Sequence, residues 1–215
     1  MTSDCYDKTG LIEACDRLAK KDRRIQQILE RTGYPPFWHR EPGFESLVMI
    51  ILEQQVSLAS AFSVYSKLKG RLGDITPEAV LGMTDDDFAY CGFSRQKKAY
   101  VSGLASEIAH NGLDLEQLAD KPSETIRQRL IEIKGIGHWT ADIYLLSCLH
   151  KQDVFPVGDL ALIKAMRQAG FVRAGDKKES ILRKVNRFKP YRSIFTIIMW
   201  HCYIRDNNIT PPFDL

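Results

Sequence analysis

No stretch of this chain sustains the alternation of apolar and polar residues that a half-buried strand requires. Apolar residues recur at helical spacing instead, and helix starts and stops punctuate them. Leu11, Ile12, Cys15, Leu18 and Ala19 share one helical face. Asp22 is placed to cap a second helix that ends near Gly33, ahead of Pro35-Pro36. Residues 44–55 are apolar nearly all round, which predicts a buried central helix. Ser57, Thr76-Pro77-Glu78, Thr84 with Asp87, and Ser94 supply four further starts. Ser123, His138 and Asp159 open three more. Val154-Phe155-Pro156-Val157 is extended but proline-broken, so it reads as a connection. The expectation is an all-α chain of about ten short helices.

Composition narrows what such a chain does. The longest strongly apolar run, Leu47–Leu52, is far too short to cross a bilayer. The N-terminus lacks the basic and apolar regions of a secretory signal. Five scattered cysteines never form a C-x-x-C, which disfavours a disulfide framework, a zinc site or an iron–sulfur cluster. They are expected as free thiols in a reducing compartment. The five histidines show no metal spacing. A net charge of only +3 argues against polybasic coating of nucleic acid, although it leaves room for a local basic face.

The informative stretch is Leu130-Ile-Glu-Ile-Lys-Gly-Ile-Gly-His-Trp-Thr-Ala-Asp-Ile-Tyr-Leu-Leu146. A helix from Ser123 is interrupted by Gly135 and Gly137, and a second begins near His138. Two glycines flanking one apolar residue permit a tight reversal. They also leave backbone N–H groups bare at the start of the second helix, where a phosphate can approach. Ile136 is expected to plug the turn into the core. Downstream, Phe155-Pro156-Val157-Gly158-Asp159-Leu160 places a carboxylate where a helix cap belongs, followed by an expected apolar face of Leu160, Ile163, Met166 and Ala169. As a cap alone, Asp159 is worth about 1 kcal/mol. A carboxylate so placed can also stabilise positive charge that develops nearby or deprotonate a water.

The pattern apolar-x-apolar-x-G-apolar-G-x-x-T-A resembles the helix-hairpin-helix element of the base-excision DNA glycosylases. Ile51-Leu52-Glu53-Gln54-Gln55-Val56-Ser57 resembles the I-L-x-Q-Q-hydrophobic-S signature of the 3-methyladenine DNA glycosylase II family. Cys91-Gly92-Phe93-Ser94 through Lys97, Ala99 and Tyr100 resembles a second family segment, and Pro190-Tyr191-Arg192-Ser193 followed by Trp200 resembles its P-W-R-S…W close.

That resemblance implies a compact, single helix-hairpin-helix unit over residues 1–215, two-lobed, with one lobe at 45–150 and the other at 1–44 plus 151–215. It implies an enzyme of base excision repair that hydrolyses the N-glycosidic bond of alkylated purines flipped out of duplex DNA. Asp159 is then the catalytic carboxylate, and Trp139 and Trp200 line the base pocket, where an electron-poor purine stacks on indole. Relatives that also nick the backbone carry a lysine two residues after the second hairpin glycine. Here that residue is Trp139, so a monofunctional enzyme without lyase activity is expected. Some members place a tyrosine where this chain has Ile143. Gly135, Gly137, His138, Thr140 and Lys134 are expected to anchor DNA, with Arg95, Lys97 and Lys98 adding a basic face. Gln54 and Gln55 are expected near the gap left by the flipped base. Main-chain carbonyls of Ile131, Ile133 and Ile136 are expected to hold a monovalent or divalent cation, with no cofactor for catalysis and no iron–sulfur cluster. A monomer acting inside the cell, at a nucleoid or in a nucleus, is implied. A second reading stays open, a non-catalytic hairpin protein that binds or senses damaged DNA. Asp159 and the two tryptophans favour the enzyme, because a binder needs none of them.

Overall fold

A computed structural model describes residues 4–210. Among these residues the chain forms thirteen α-helices and one 3₁₀ turn, Asn186–Phe188, and its β pairing is a single bridge between Cys5 and Lys151. The helices are α1 (Lys8–Lys21), α2 (Arg23–Thr32), α3 (Phe44–Glu53), α4 (Leu58–Leu72), α5 (Pro77–Leu81), α6 (Asp85–Cys91), α7 (Arg95–His110), α8 (Leu115–Ala119), α9 (Ser123–Ile131), α10 (His138–Ser147), α11 (Leu160–Gln168), α12 (Lys178–Val185) and α13 (Arg192–Asp206). The all-α fold is as read from the sequence. The three helices beyond ten are α8, whose Asp114 cap precedes only five helical residues, and α12 and α13, which have no side-chain cap. The side chains of Asp22, Ser57, Thr76, Thr84, Ser94 and Asp159 each accept a first-turn backbone N–H, so these six caps form as read.

The described residues divide into two compact units. One holds His39–Leu149, and the other holds the residues up to Trp38 together with His150–Thr210. The core of the first unit is α3, which is buried on eight of its ten residues. An element apolar on every side must be covered on every side, and α4, α7 and α10 all pack against it. Its ends are tied by polar bonds: the Tyr144 hydroxyl accepts from the Gly43 N–H, and Lys97 Nζ donates to the Leu52 carbonyl. Below them Arg40 forms a two-point pair with Glu53, at 2.8 and 3.1 Å. Gly73 ends α4 with φ +74°, as its glycine stop implies.

In the second unit α13 packs on α1, α2 and α11. Its segment Ser193–Met199 is buried throughout. Phe188 stacks on Phe195 with centroids 4.3 Å apart, and Phe171 meets Phe195 edge-on at 5.0 Å. The expected apolar face of α11 needs correction. Leu162, Ala165 and Met166 are the buried residues, whereas Leu160 is 77% exposed. Packing against α13 sets the helix rotation, and Leu160 falls on the open side.

All five cysteines are free, four of them buried. No helix among the described residues is long and apolar enough to cross a membrane, and no group of three or more His, Cys, Asp or Glu among them is placed to hold a metal ion.

Candidate functional site

The hairpin between α9 and α10 belongs to the His39–Leu149 unit. Backbone bonds from Ile133 N–H to Leu130 O and from Ile136 N–H to Ile133 O fold the turn, and both isoleucines are buried. Gly135 has φ +98°, and a Cβ there would lie 2.1 Å from Tyr100 Cγ and 2.6 Å from Tyr100 Cβ. Only glycine satisfies both conditions. Gly137 differs in kind: its backbone is extended, nothing crowds a Cβ, and it serves as the N-cap of α10 without any side-chain bond. The first-turn N–H groups of α10 therefore have no side-chain cap. Gly137, His138 and Lys134 are exposed around them. An uncapped helix start beside a lysine suits an anion.

A link not visible in sequence holds this hairpin in place. Gln54 Nε2 donates to Gly135 O at 2.8 Å and to Thr140 Oγ1 at 2.9 Å, spanning the turn from end to end. Two expectations change accordingly. Thr140 is only 2% exposed, and its hydroxyl is turned toward Gln54, so any outward contact falls to its backbone N–H. Gln54 Nε2 is engaged with the hairpin at both of these acceptors, which ties the side chain there. Gln55 is exposed with φ +58°, at the corner between α3 and α4. The basic face also shrinks. Lys97 is used on Leu52 O, its pKa lowered by burial, and Lys98 pairs with Asp85, which leaves Arg95 exposed. Trp139 is the second residue of α10 and half-buried; Ile131 is partly exposed at the end of α9.

The carboxylate lies in the other unit. Asp159 caps α11, and its Oδ1 accepts from Leu162 N–H at 2.7 Å and from Trp200 Nε1–H at 3.1 Å. The structure thus brings together two residues that are 41 positions apart. Two donors on one oxygen fix the plane of the carboxylate. The connection before it is fastened to the start of α13. Ser193 Oγ accepts from Val154 N–H at 2.9 Å and donates to Lys151 O, and Arg192 grips Asp153 at 2.7 and 3.0 Å. One helix therefore anchors the loop through Ser193 and Arg192 and orients its carboxylate through Trp200. Ser193 is fully buried, within the Pro190-Tyr191-Arg192-Ser193 segment that the sequence singles out.

The family model described as HhH-GPD superfamily base excision DNA repair protein matches residues 48–190, most of the chain. The chain belongs to that superfamily. Among relatives of this HhH-GPD protein, the DNA-3-methyladenine glycosylase of Saccharomyces cerevisiae is 26% identical over 87% of this chain and 78% of its own length. DNA-3-methyladenine glycosylase 1 of Schizosaccharomyces pombe is also 26% identical, over 93% of this chain and 92% of its own. The crystal structure of a DNA-3-methyladenine glycosidase from Bacillus halodurans superposes with a TM-score of 0.75 at 25% identity, covering 92% of this chain and 91% of that one. The matched segment of the HhH-GPD protein contains the hairpin, Gln54 and Asp159, and ends before Trp200.

Proposed function

We propose that this HhH-GPD protein is a monofunctional DNA glycosylase that removes alkylated purines of the 3-methyladenine type from duplex DNA and leaves an abasic site. The observation that carries the reading is the Asp159 carboxylate, capped on α11 and held by the Trp200 indole N–H. A cap alone needs no such second donor. The names of the two yeast relatives support the substrate class.

In this mechanism the damaged nucleotide leaves the stack before any chemistry. Alkylation leaves the purine electron-poor, so it stacks well on an indole, the part assigned to Trp139 and Trp200, and it departs readily. The bond between C1′ and the base nitrogen breaks, and its electron pair goes with the base. The Asp159 carboxylate faces the positive charge that builds on the sugar. Water then adds to C1′ and gives its proton to Asp159. Trp139 occupies the position where a lyase needs lysine, and indole forms no Schiff base, so the backbone stays intact. DNA is anchored by phosphate at the uncapped N–H groups after Gly137, with Lys134 and His138 alongside. Gln55 fills the vacated position in the stack. The carbonyls of Ile131, Ile133 and Ile136 are neutral oxygen donors that suit a weakly held cation; the Ile133 carbonyl already accepts one bond from Ile136 N–H. Such an ion would contribute to anchoring and take no part in the chemistry. The protein works inside the cell, as a monomer on DNA.

The test is excision from a panel of duplexes, each carrying one modified base, by the parent protein and Asp159→Asn. The variant is expected to lose about a hundredfold or more in rate while binding an abasic duplex as before. An unchanged rate would remove Asp159 from the mechanism. Binding by the parent without release of any base would favour the damage-sensing alternative.

A further inference from the structure

The chain's charge is far from evenly spread. Residues 173–189 contain seven Lys or Arg against two carboxylates, although the whole chain carries only +3. This segment forms one side of a cavity of about 700 Å³ in the unit that contains Asp159. That volume is typical of pockets for small ligands. Arg24, Arg173, Arg183, Lys184 and Arg187 line it, with Asp176 as its one acidic lining residue and Phe171 and Phe188 among its apolar ones.

Three of these cations are already oriented. Arg24 lies over the Phe171 ring at 3.9 Å, with its guanidinium bonded to Asp22 and to the Gly170 carbonyl. Arg187 reaches the same Asp22 at 3.1 Å and lies near the Phe188 ring. Lys184 pairs with Asp176. Burial works against charge on Asp22, but the bonds and charges of Arg24 and Arg187 outweigh it and hold its carboxyl below the ordinary range. Arg24 and Arg187 thus share the Asp22 carboxylate, each beside an aromatic ring. The charge at the end of α11 explains part of this arrangement, since cations offset the partial negative charge of helix carbonyls. It does not explain Arg173 and Arg183, whose guanidinium groups are exposed and make no ion pair or hydrogen bond among the described residues.

We infer that this cavity is a binding site for a phosphoryl-bearing ligand, separate from the carboxylate at Asp159. Unpaired guanidinium groups match phosphate oxygens two at a time, and an aromatic and aliphatic lining accommodates the body of the ligand. Met166 and Gly170 place the cavity at the C-terminal end of α11, whose opposite end is capped by Asp159. Nine helical residues separate the ends by roughly 13 Å, so an occupant touches neither the base nor the sugar at Asp159. The phosphoryl group comes either from a free nucleotide or from a more distant part of the bound DNA strand.

Isothermal titration with pyrophosphate, ADP and a duplex containing an abasic-site analogue tests this. The proteins are the parent, the double variant Arg173→Gln/Arg183→Gln, and a control, Lys177→Gln/Lys178→Gln, which removes equal charge outside the cavity lining. Thermal denaturation checks that all three fold. The double variant is expected to lose at least tenfold in affinity for one or more probes, with the control within twofold. Loss toward ADP and pyrophosphate with duplex affinity and excision unchanged identifies a free nucleotide. Loss toward the duplex, or competition between ADP and duplex, identifies the strand. If no probe loses affinity in the double variant, or the control loses as much, the cavity is not an anion site and the charge is only a solvated face.

Discussion

Gly135→Ala is the most exacting perturbation of the hairpin, because two separate costs act at one atom. The first is conformational: at φ +98° a residue with a Cβ is strained by about 1–3 kcal/mol. The second is contact. The new methyl would lie 2.1, 2.5 and 2.6 Å from Tyr100 Cγ, Cδ1 and Cβ. Turning the ring about χ1 moves the first two atoms but not Tyr100 Cβ, so relief requires the α7 backbone and the hairpin to part. Overpacking of this kind costs about 1–3 kcal/mol more. Urea denaturation of the single variant is therefore expected to show a loss of about 2–6 kcal/mol, the sum of these two ranges. A double-mutant cycle separates the two costs. In a Tyr100→Gly background all three contacts vanish, and Gly135→Ala should then cost only the conformational part. Tyr100→Ala should give partial relief, since its Cβ remains. An equal penalty for Gly135→Ala in the parent and Tyr100→Gly backgrounds would refute the argument from contact. A penalty below about 0.5 kcal/mol in the parent, the usual scatter of surface changes, would refute both parts.

Gln54→Leu leaves Gly135 O and Thr140 Oγ1 without their donor and should cost about 1–3 kcal/mol in urea denaturation, together with weaker DNA binding; a change within experimental error would show that the hairpin does not depend on this link. Trp200→Phe keeps an aromatic ring but removes the donor to Asp159, so single-turnover excision should slow about ten- to a hundredfold, and an unchanged rate would mean that the carboxylate needs no second donor. The Arg173 backbone N–H, then Lys184, hold the Asp176 carboxyl at about 2, below its ordinary 3.8. Its ionised form thus favours the folded state above pH 3.8, and that contribution disappears as pH falls toward 2. A carboxyl-carbon NMR titration should place the midpoint near 2, and a midpoint near 4 would contradict the assignment.

What could be read from the sequence was local. Asp22, Ser57, Thr76, Thr84, Ser94 and Asp159 cap helices through bonds that span two or three residues, so residue type and spacing revealed them. The hairpin glycines were legible for the same reason. α13 was not, because Ser193–Met199 is buried on every side and includes the β-branched Ile194, Thr196, Ile197 and Ile198. Such a run has neither helical nor strand periodicity, and only its neighbours decide its form. α12 begins at Lys177 with no side-chain cap to announce it. The remaining misreadings concern partners distant in sequence. Lys97 looked like a DNA contact until Leu52, 45 residues earlier, claimed it. Thr140 and Gln54, 86 apart, changed from surface contacts to an internal tie. Leu160 looked like core because a helical face, without its neighbours, carries no direction.

The corner at Gln55 sets folding and use against each other. Its left-handed backbone costs about 1 kcal/mol or more that a glycine would avoid, and its exposed side chain makes no hydrogen bond among the described residues. A campaign to raise heat resistance would select glycine here early and would score the change as a success. The same change would delete the side chain assigned to the space behind a flipped base. Gln55 is thus a position where a stability screen and an activity screen should rank the same library in opposite order.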